Sequence, residues 1–345
     1  MQSVACGFVM GQVPNVYVRF RVEGNNGVGP SVGEPIPEPR MTEASRMNAP
    51  LPGSRAGERV LALLEVSLVA LLVAVTRMGF KYFAPAGTLS SVIRQLGAGI
   101  IIVGPILCLW LWRRGKDFKA YGITLHDWRE GLKIGVVLSL LLAGYVCASL
   151  PILRHAGVDH FTGFEPRAHL IVLFLALPGL ALFAWILRFS TLIAKRIPTA
   201  LAGMALVALW LTPLALVRYF DRPLSPAVMT SIASVVVAGL GEELIFRGYI
   251  QSRLNEVLGR PFRFGDTQFG WGLFIASFLF GLVHIFNGVD FVQGSVNFQW
   301  TWGLSAFLHG MLVFGYLREK TGSILSGAIL HGNNDVWVLI VANLK

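Results

Sequence analysis

Apolar stretches separated by short polar loops make up most of the chain from residue 59 to its end. Nine of these stretches reach or approach the roughly 20 residues with which a helix crosses a bilayer. Their approximate limits are 59–76, 91–112, 132–152, 168–189, 199–219, 227–248, 269–287, 302–317 and 323–343. The pattern predicts an all-α fold: a polytopic membrane helical bundle with about eight or nine transmembrane helices.

The composition agrees with a membrane protein, because 54% of the 345 residues are apolar and only 14% are charged. A soluble domain has about 25% charged residues and does not concentrate its apolar residues in such long stretches. The net charge of +10 does not indicate nucleic acid, since the basic residues lie in short loops rather than on one face or in a tail. We therefore expect the membrane lipid bilayer as a partner and no nucleic acid.

The distribution of Lys and Arg among the loops predicts the orientation of the chain. The loops after the second, fourth, sixth and eighth apolar stretches are basic, whereas residues 288–301 contain no Lys or Arg. By the positive-inside rule, the basic loops and the N-terminus lie in the cytoplasm. The chain is thus predicted to be a multi-pass integral membrane protein of a plasma or inner membrane.

The sequence divides into three parts. Residues 1–57 are rich in Pro and Gly without a sustained apolar period, and we expect them to be disordered. Residues 58–225 form the N-terminal transmembrane helices, and residues 226–345 form a membrane core with the most informative polar residues. Met41 and Met47 lie shortly before the first apolar stretch, and we expect translation to begin at one of them, which N-terminal sequencing of the mature protein tests.

Two adjacent glutamates and an arginine interrupt the sixth apolar stretch. Each ionised side chain at the centre of a bilayer costs about 2.5–3.5 kcal/mol on insertion scales, so Glu242, Glu243 and Arg247 need partners or a wet cavity. Glu243 and Arg247 are four residues apart with the acid first, which favours an ion pair on one helix face. Glu242 then faces elsewhere. A purely structural role for both glutamates, as neutralising partners of arginines, is the alternative.

Two histidines at membrane depth follow in the same part of the chain. His284 lies one turn after Phe280, and His331 lies one turn before Asp335. By itself each histidine could be a hydrogen-bonded interior residue rather than a catalytic one. If the sixth helix continues to about Leu258, Glu242 and His284 lie at similar depth in an antiparallel helix pair.

These residues resemble the motifs of a known family, the CAAX prenyl protease and bacteriocin-processing family (CPBP, or Abi) of intramembrane proteases. The family motifs are Glu-Glu-x-x-x-Arg, Phe-x-x-x-His and His-x-x-x-Asn/Asp. They occur here in order as Glu242-Glu243-x-x-x-Arg247, Phe280-x-x-x-His284 and His331-x-x-x-Asp335. The resemblance covers about residues 226–343 and implies a CPBP-type catalytic membrane core. Many relatives have Asn at the position of Asp335.

The resemblance implies an intramembrane endopeptidase that hydrolyses a peptide bond in a membrane-tethered protein or peptide substrate. Glu242 would act as the general base for a water molecule that His284 helps to hold. Arg247 would neutralise Glu243 and keep the neighbouring Glu242 in position. His331, together with Asn334, would face the developing oxyanion, and Asp335 would orient His331.

The involvement of a metal is a separate question. Glu242, His284 and His331 match the ligand types of a catalytic zinc site, and relatives are often labelled metalloproteases. The sequence lacks the His-Glu-x-x-His spacing of common zinc proteases, and we expect a metal-free glutamate mechanism. Two other functions stay open: a proton-coupled membrane carrier, because Glu and His chains also relay protons, and a catalytically silent membrane scaffold.

Overall fold

The computed structural model describes residues 52–83, 102–155, 166–219, 239–290 and 294–343, and these residues are mostly helical. The first half of the chain contributes six α-helices: α1 (Pro52–Phe83), α2 (Gly104–Arg113), α3 (Trp128–His155), α4 (Pro166–Leu187), α5 (Ser190–Arg196) and α6 (Thr199–Tyr219). The second half contributes α7 (Ser252–Leu258), α8 (Trp271–Ile285), α9 (Trp300–His309), α10 (Tyr316–Thr321) and α11 (Leu325–Asn343).

Two π-helices and two short hairpins complete the architecture. The π-helices are π1 (Glu243–Gln251), which leads directly into α7, and π2 (Gly310–Gly315), which joins α9 to α10. One antiparallel hairpin pairs β1 (Phe262–Phe264) with β2 (Thr267–Phe269), and the other pairs β3 (Val289–Asp290) with β4 (Ser295–Val296). A 3-10 turn covers Phe286–Gly288.

The predicted all-α fold is confirmed, and a helix lies within the described part of each predicted apolar stretch. Among the described helices, one over Ala56–Thr76 is long and apolar enough to cross a membrane, and shorter apolar helices cover Leu173–Leu187, Thr199–Thr212 and Trp271–Ile285. Polar residues such as His331 and Asn333 lower the hydropathy of α11. The number of membrane crossings therefore stays a prediction, as does the cytoplasmic N-terminus.

The N-terminal boundary differs from the expected one. Helix α1 begins at Pro52, inside the segment 1–57 that we expected to be disordered. Proline fits the first turn of a helix because its missing N–H has no helical acceptor there. Residues 1–51, with both candidate start methionines, lie outside the described residues, and so does the predicted boundary at 225/226.

Glycine permits close packing between α3 and α11, the pair that holds the last predicted motif in place. A Cβ on Gly135 would lie 2.9 Å from the Cβ of Ile329, so a larger residue there would push the helices apart. Polar contacts cross the same interface, since Ser326 Oγ donates to the Gly131 carbonyl at 3.0 Å. Small residues are the usual means by which membrane helices approach each other.

The two π-helices lie against each other in the centre of the second half. Gln251 Nε2 at the end of π1 donates a hydrogen bond to the Gly315 carbonyl at the end of π2, at 2.9 Å. At the start of π2, a Cβ on Gly310 would lie 3.0 Å from Arg247 Nη2. Ser252 Oγ donates to the Arg247 carbonyl, which the π geometry leaves available. Such π-helical interruptions of α-helices are frequent at functional sites.

Helix α7 carries the sixth apolar stretch to Leu258, which confirms the predicted end of this helix. On α7, Arg253 donates to Glu65 at 2.7 Å, and Glu256 accepts hydrogen bonds from Lys116 and from Tyr121. Partial burial alone would raise the pKa of Glu256, but these two hydrogen bonds outweigh it and lower the pKa below its usual value. The ion pairs join α1 and the loop after α2 to the end of this helix.

Candidate active site

A buried ion pair lies at the centre of the polar residues. Arg247 Nη1 lies 3.2 Å from Glu243 Oε1, and the side chains are 0% and 1% exposed, so the predicted pairing is confirmed. Within the described part of the chain, no guanidinium nitrogen of Arg247 makes a hydrogen bond. The guanidinium instead lies 4.3 Å from the centre of the Phe280 ring and 5.2 Å from that of Phe314. A third ring, that of Phe246, lies 5.9 Å away, so Arg247 is held by one carboxylate and three aromatic rings.

Glu243 also contacts His331, an interaction that the sequence did not predict. His331 Nδ1 on α11 lies 3.1 Å from Glu243 Oε1. An ionised carboxylate only accepts hydrogen bonds, so Nδ1 carries the hydrogen and Nε2 is the ring nitrogen left for chemistry. Glu243 therefore sets the orientation and tautomer of His331.

Glycine 327 makes room for this arrangement. A Cβ on Gly327 would lie 2.7 Å from Glu243 Oε2, so a side chain there would displace the Glu243 carboxylate. Gly327 precedes His331 by one helical turn, so both lie on the same face of α11.

The two adjacent glutamates have different surroundings. The side chain of Glu242 is 23% exposed and its Oε2 lies 3.7 Å from His331 Nε2, whereas Glu243 is buried. An accessible carboxylate can meet water and substrate, and a buried one cannot. The structure thus separates one carboxylate suited to chemistry from one that positions its neighbours.

The rings of both motif histidines contact Phe280. The centre of the Phe280 ring lies 4.5 Å from that of His284 and 5.9 Å from that of His331. His284 Nδ1 donates to the Phe280 carbonyl at 2.7 Å, which leaves Nε2 as an acceptor in the neutral ring. Phe314 stacks on the other histidine, with its ring centre 4.6 Å from that of His331. Phe280 therefore brings the second and third motifs into contact.

Asn334 and Asp335 follow His331 on α11. Asn334 lines a small cavity of about 40 Å³ that Phe314, Tyr145 and His309 also line. The side chain of Asp335 lies outside the described residues, so its predicted contact with His331 stays a prediction. His309 Nδ1 donates to the Ser305 carbonyl at 2.8 Å, which agrees with the packing role that its isolated position suggests.

The next feature of the site is the set of side chains that could bind a metal ion. In the parts of the chain that the structure describes, no three His, Cys, Asp or Glu side chains are arranged to hold a metal ion. Glu242, His284 and His331, the ligand types expected for zinc, therefore do not form a ready ligand set in this conformation.

Residues 224–337 match the sequence model of a family described as Type II CAAX prenyl endopeptidase Rce1-like. The match covers a third of the chain and contains all three motifs, so the predicted resemblance is confirmed for this segment. Proteins of this family are membrane proteins. No curated protein and no solved structure matches the chain.

Proposed function

Because residues 224–337 match a family of endopeptidases, we propose that the protein is an intramembrane endopeptidase acting on a membrane-tethered protein or peptide. The observation that carries the proposal is the different burial of two adjacent carboxylates beside one histidine. Glu243 is buried against Arg247, whereas Glu242 is partly exposed and near His331. Amide hydrolysis needs such an accessible base next to a group that can stabilise negative charge.

Glu242 is the proposed general base. Its carboxylate removes a proton from a water molecule, whose oxygen then attacks the carbonyl carbon of the scissile peptide bond. The same proton passes to the leaving nitrogen as the bond between carbon and nitrogen breaks. His284 Nε2 can accept the second hydrogen of that water, because its Nδ1 hydrogen is engaged by the Phe280 carbonyl.

His331 is the proposed partner of the oxyanion. With Nδ1 held by Glu243, a protonated His331 presents an N–H at Nε2, which can donate to the oxygen on which negative charge develops. Asn334 is proposed as a second donor and Asp335 as a further support of His331. Zinc bound by Glu242, His284 and His331 would supply Lewis-acid polarisation, and the proposal does not depend on it.

The test is cleavage by the full-length protein in liposomes, with a library of lipid-anchored and leader-type peptides as substrates. We expect Glu242→Gln, which keeps the shape but removes the base, to abolish cleavage while the protein stays folded. Glu58→Gln is the matched control, because Glu58 is exposed at the start of α1 and the chemical change is identical.

Each outcome of this assay has a defined meaning. Cleavage that survives chelation and disappears in Glu242→Gln supports a glutamate peptidase. Loss on chelation with rescue by zinc supports a metallopeptidase instead. Full activity of folded Glu242→Gln contradicts the assigned base, and a folded wild type that cleaves nothing favours the carrier or the scaffold.

A further inference from the structure

A polar cleft of about 700 Å³ lies between three loops that are distant in sequence. Its walls come from the segment after α2, from the β1–β2 hairpin and from α10. All three belong to loops whose Lys and Arg content predicts a cytoplasmic position. The cleft is separate from the catalytic residues, since none of the predicted active-site side chains lines it.

Two of the basic residues in this cleft, which we call the basic cleft, already have acidic partners. Arg260 Nε lies 2.9 Å from Glu319 Oε2, and Lys320 Nζ lies 3.1 Å from Asp266 Oδ1. Within each pair, the positive and the negative charge cancel. They also fix the positions of the hairpin and α10 relative to each other.

Three further cations in the basic cleft form no ion pair within the described ranges: Lys119, Arg263 and Arg318. Arg263 Nε donates only to the Gly265 carbonyl, at 3.0 Å. The remaining acid of the cleft, Asp117, accepts the backbone N–H of Lys119 at 2.9 Å. The residues without ionic partners therefore leave a surplus of two positive charges.

Arg318 is the buried member of the three cations without an ion pair. Its side chain is 5% exposed, and Nη2 donates to the Ala120 carbonyl at 2.8 Å and to Ser252 Oγ at 3.2 Å. Its Nε is buried and has no hydrogen-bond acceptor among the described residues. Burial lowers the pKa of Arg318 to about 10, so the side chain is still cationic at neutral pH.

The backbone beside Arg318 is shaped for this side chain. Gly122 has a φ of +72°, a conformation that favours glycine. A Cβ on Gly122 would lie 2.3 Å from Arg318 Nε, so only glycine leaves room for the guanidinium. The buried cation is therefore a built feature of the wall and not a chance position of a mobile surface side chain.

We propose that the basic cleft binds a phosphate group, supplied either by an anionic lipid headgroup or by a free phosphate compound. Guanidinium groups bind phosphate oxygens through paired N–H donors, and a lysine adds a point charge. A surplus of two positive charges matches a phosphate dianion. The volume suits a headgroup, since small-molecule sites occupy about 300–1,000 Å³. A bound phosphate group would give Lys119, Arg263 and Arg318 an anionic partner.

The test uses the full-length protein in uncharged detergent micelles and follows its thermal unfolding. One arm adds inorganic phosphate at constant ionic strength, with chloride as the replaced ion. The other arm adds phosphatidic acid to the micelles, with phosphatidylcholine as the reference. We expect a saturable rise of the melting temperature in at least one arm, because a ligand that binds only the folded state stabilises it.

Charge reversal at exposed positions tests the site without disturbing the buried arginine. Lys119→Glu combined with Arg263→Glu should weaken the apparent affinity at least about tenfold. Lys195→Glu combined with Arg196→Glu is the matched control, because both residues are exposed on α5, outside the basic cleft, and the change in net charge is the same; it should leave the affinity unchanged. A response to phosphatidic acid alone identifies the headgroup as the source, whereas a response to inorganic phosphate identifies the free group as sufficient. No saturable response in either arm, or equal weakening by the control, overturns the proposal.

Discussion

Removal of the charge on Glu243 should destabilise the protein strongly. At an effective dielectric constant of about 20, charges 3.2 Å apart attract each other by about 5 kcal/mol. Glu243→Gln loses this attraction and leaves Arg247 charged, buried and without a carboxylate at 3.2 Å. Loss of one partner of a buried ion pair typically costs about 3–5 kcal/mol, and we expect a loss in that range.

A double replacement separates the cost of the unpaired charge from the value of the pair. In Glu243→Gln combined with Arg247→Met, no uncompensated cation is left between the rings of Phe280 and Phe314. The double variant should therefore recover most of the stability that the single variant loses, to within about 1–2 kcal/mol of the wild type. Cleavage should not recover, because His331 has lost the carboxylate that holds Nδ1.

The free energy of unfolding is measured by titrating a denaturing detergent into uncharged micelles that contain the full-length protein. Glu58→Gln is the control for the chemical change and should leave the unfolding midpoint unchanged, because Glu58 is exposed. The reasoning is refuted if Glu243→Gln costs less than about 1 kcal/mol, or if the double variant is less stable than the single one.

Three further predictions concern the same region. Gly327→Ala should lower both the free energy of unfolding and the cleavage rate, since overpacking costs about 1–3 kcal/mol. Gly144→Ala is the control: this position on α3 has open space around it, and the change should be neutral or slightly stabilising in the same unfolding assay. His331→Gln should lower kcat by about 10²–10³ with little change in KM, and an unchanged kcat would contradict its role. The lowered pKa of Glu256 stabilises the folded protein at a pH above the unfolded value of 4.5. The difference in Tm between the wild type and Glu256→Gln should therefore be present at pH 7, begin to shrink as the pH falls below 4.5, and be lost as the pH falls through the folded pKa.

The long helices were predictable because their apolar stretches are bounded by charged or Gly-rich loops. The short helix α5 lies in the basic segment after the fourth stretch and was not predicted. The pairing of Glu243 with Arg247 was predictable as well, since it depends on local spacing. The contact between Glu243 and His331 was not, because it joins residues 88 positions apart and uses a carboxylate oxygen that the local pairing already engaged. Only the packing of π1 against α11 determines it.

The basic cleft and the π-helices were beyond sequence reasoning for a different reason. The Lys and Arg residues in the loops predict the membrane orientation of the chain whether or not the loops contact each other. The sequence alone therefore did not show that cations from three loops line one cleft. The π geometry likewise has no residue signature in Glu243–Gln251.

The π geometry of π1 sets the orientation of Glu242, the proposed general base, relative to the end of the helix. The wider turns of π1 change the orientation of the residues that precede π1 relative to α7. Arg253 on α7 is held in place by its hydrogen bond to Glu65. With the same residues wound as a regular α-helix, at about 100° per residue, Glu242 would turn relative to α7 and away from His331. The orientation of Glu242 therefore depends on the width of these turns as well as on the residues in them.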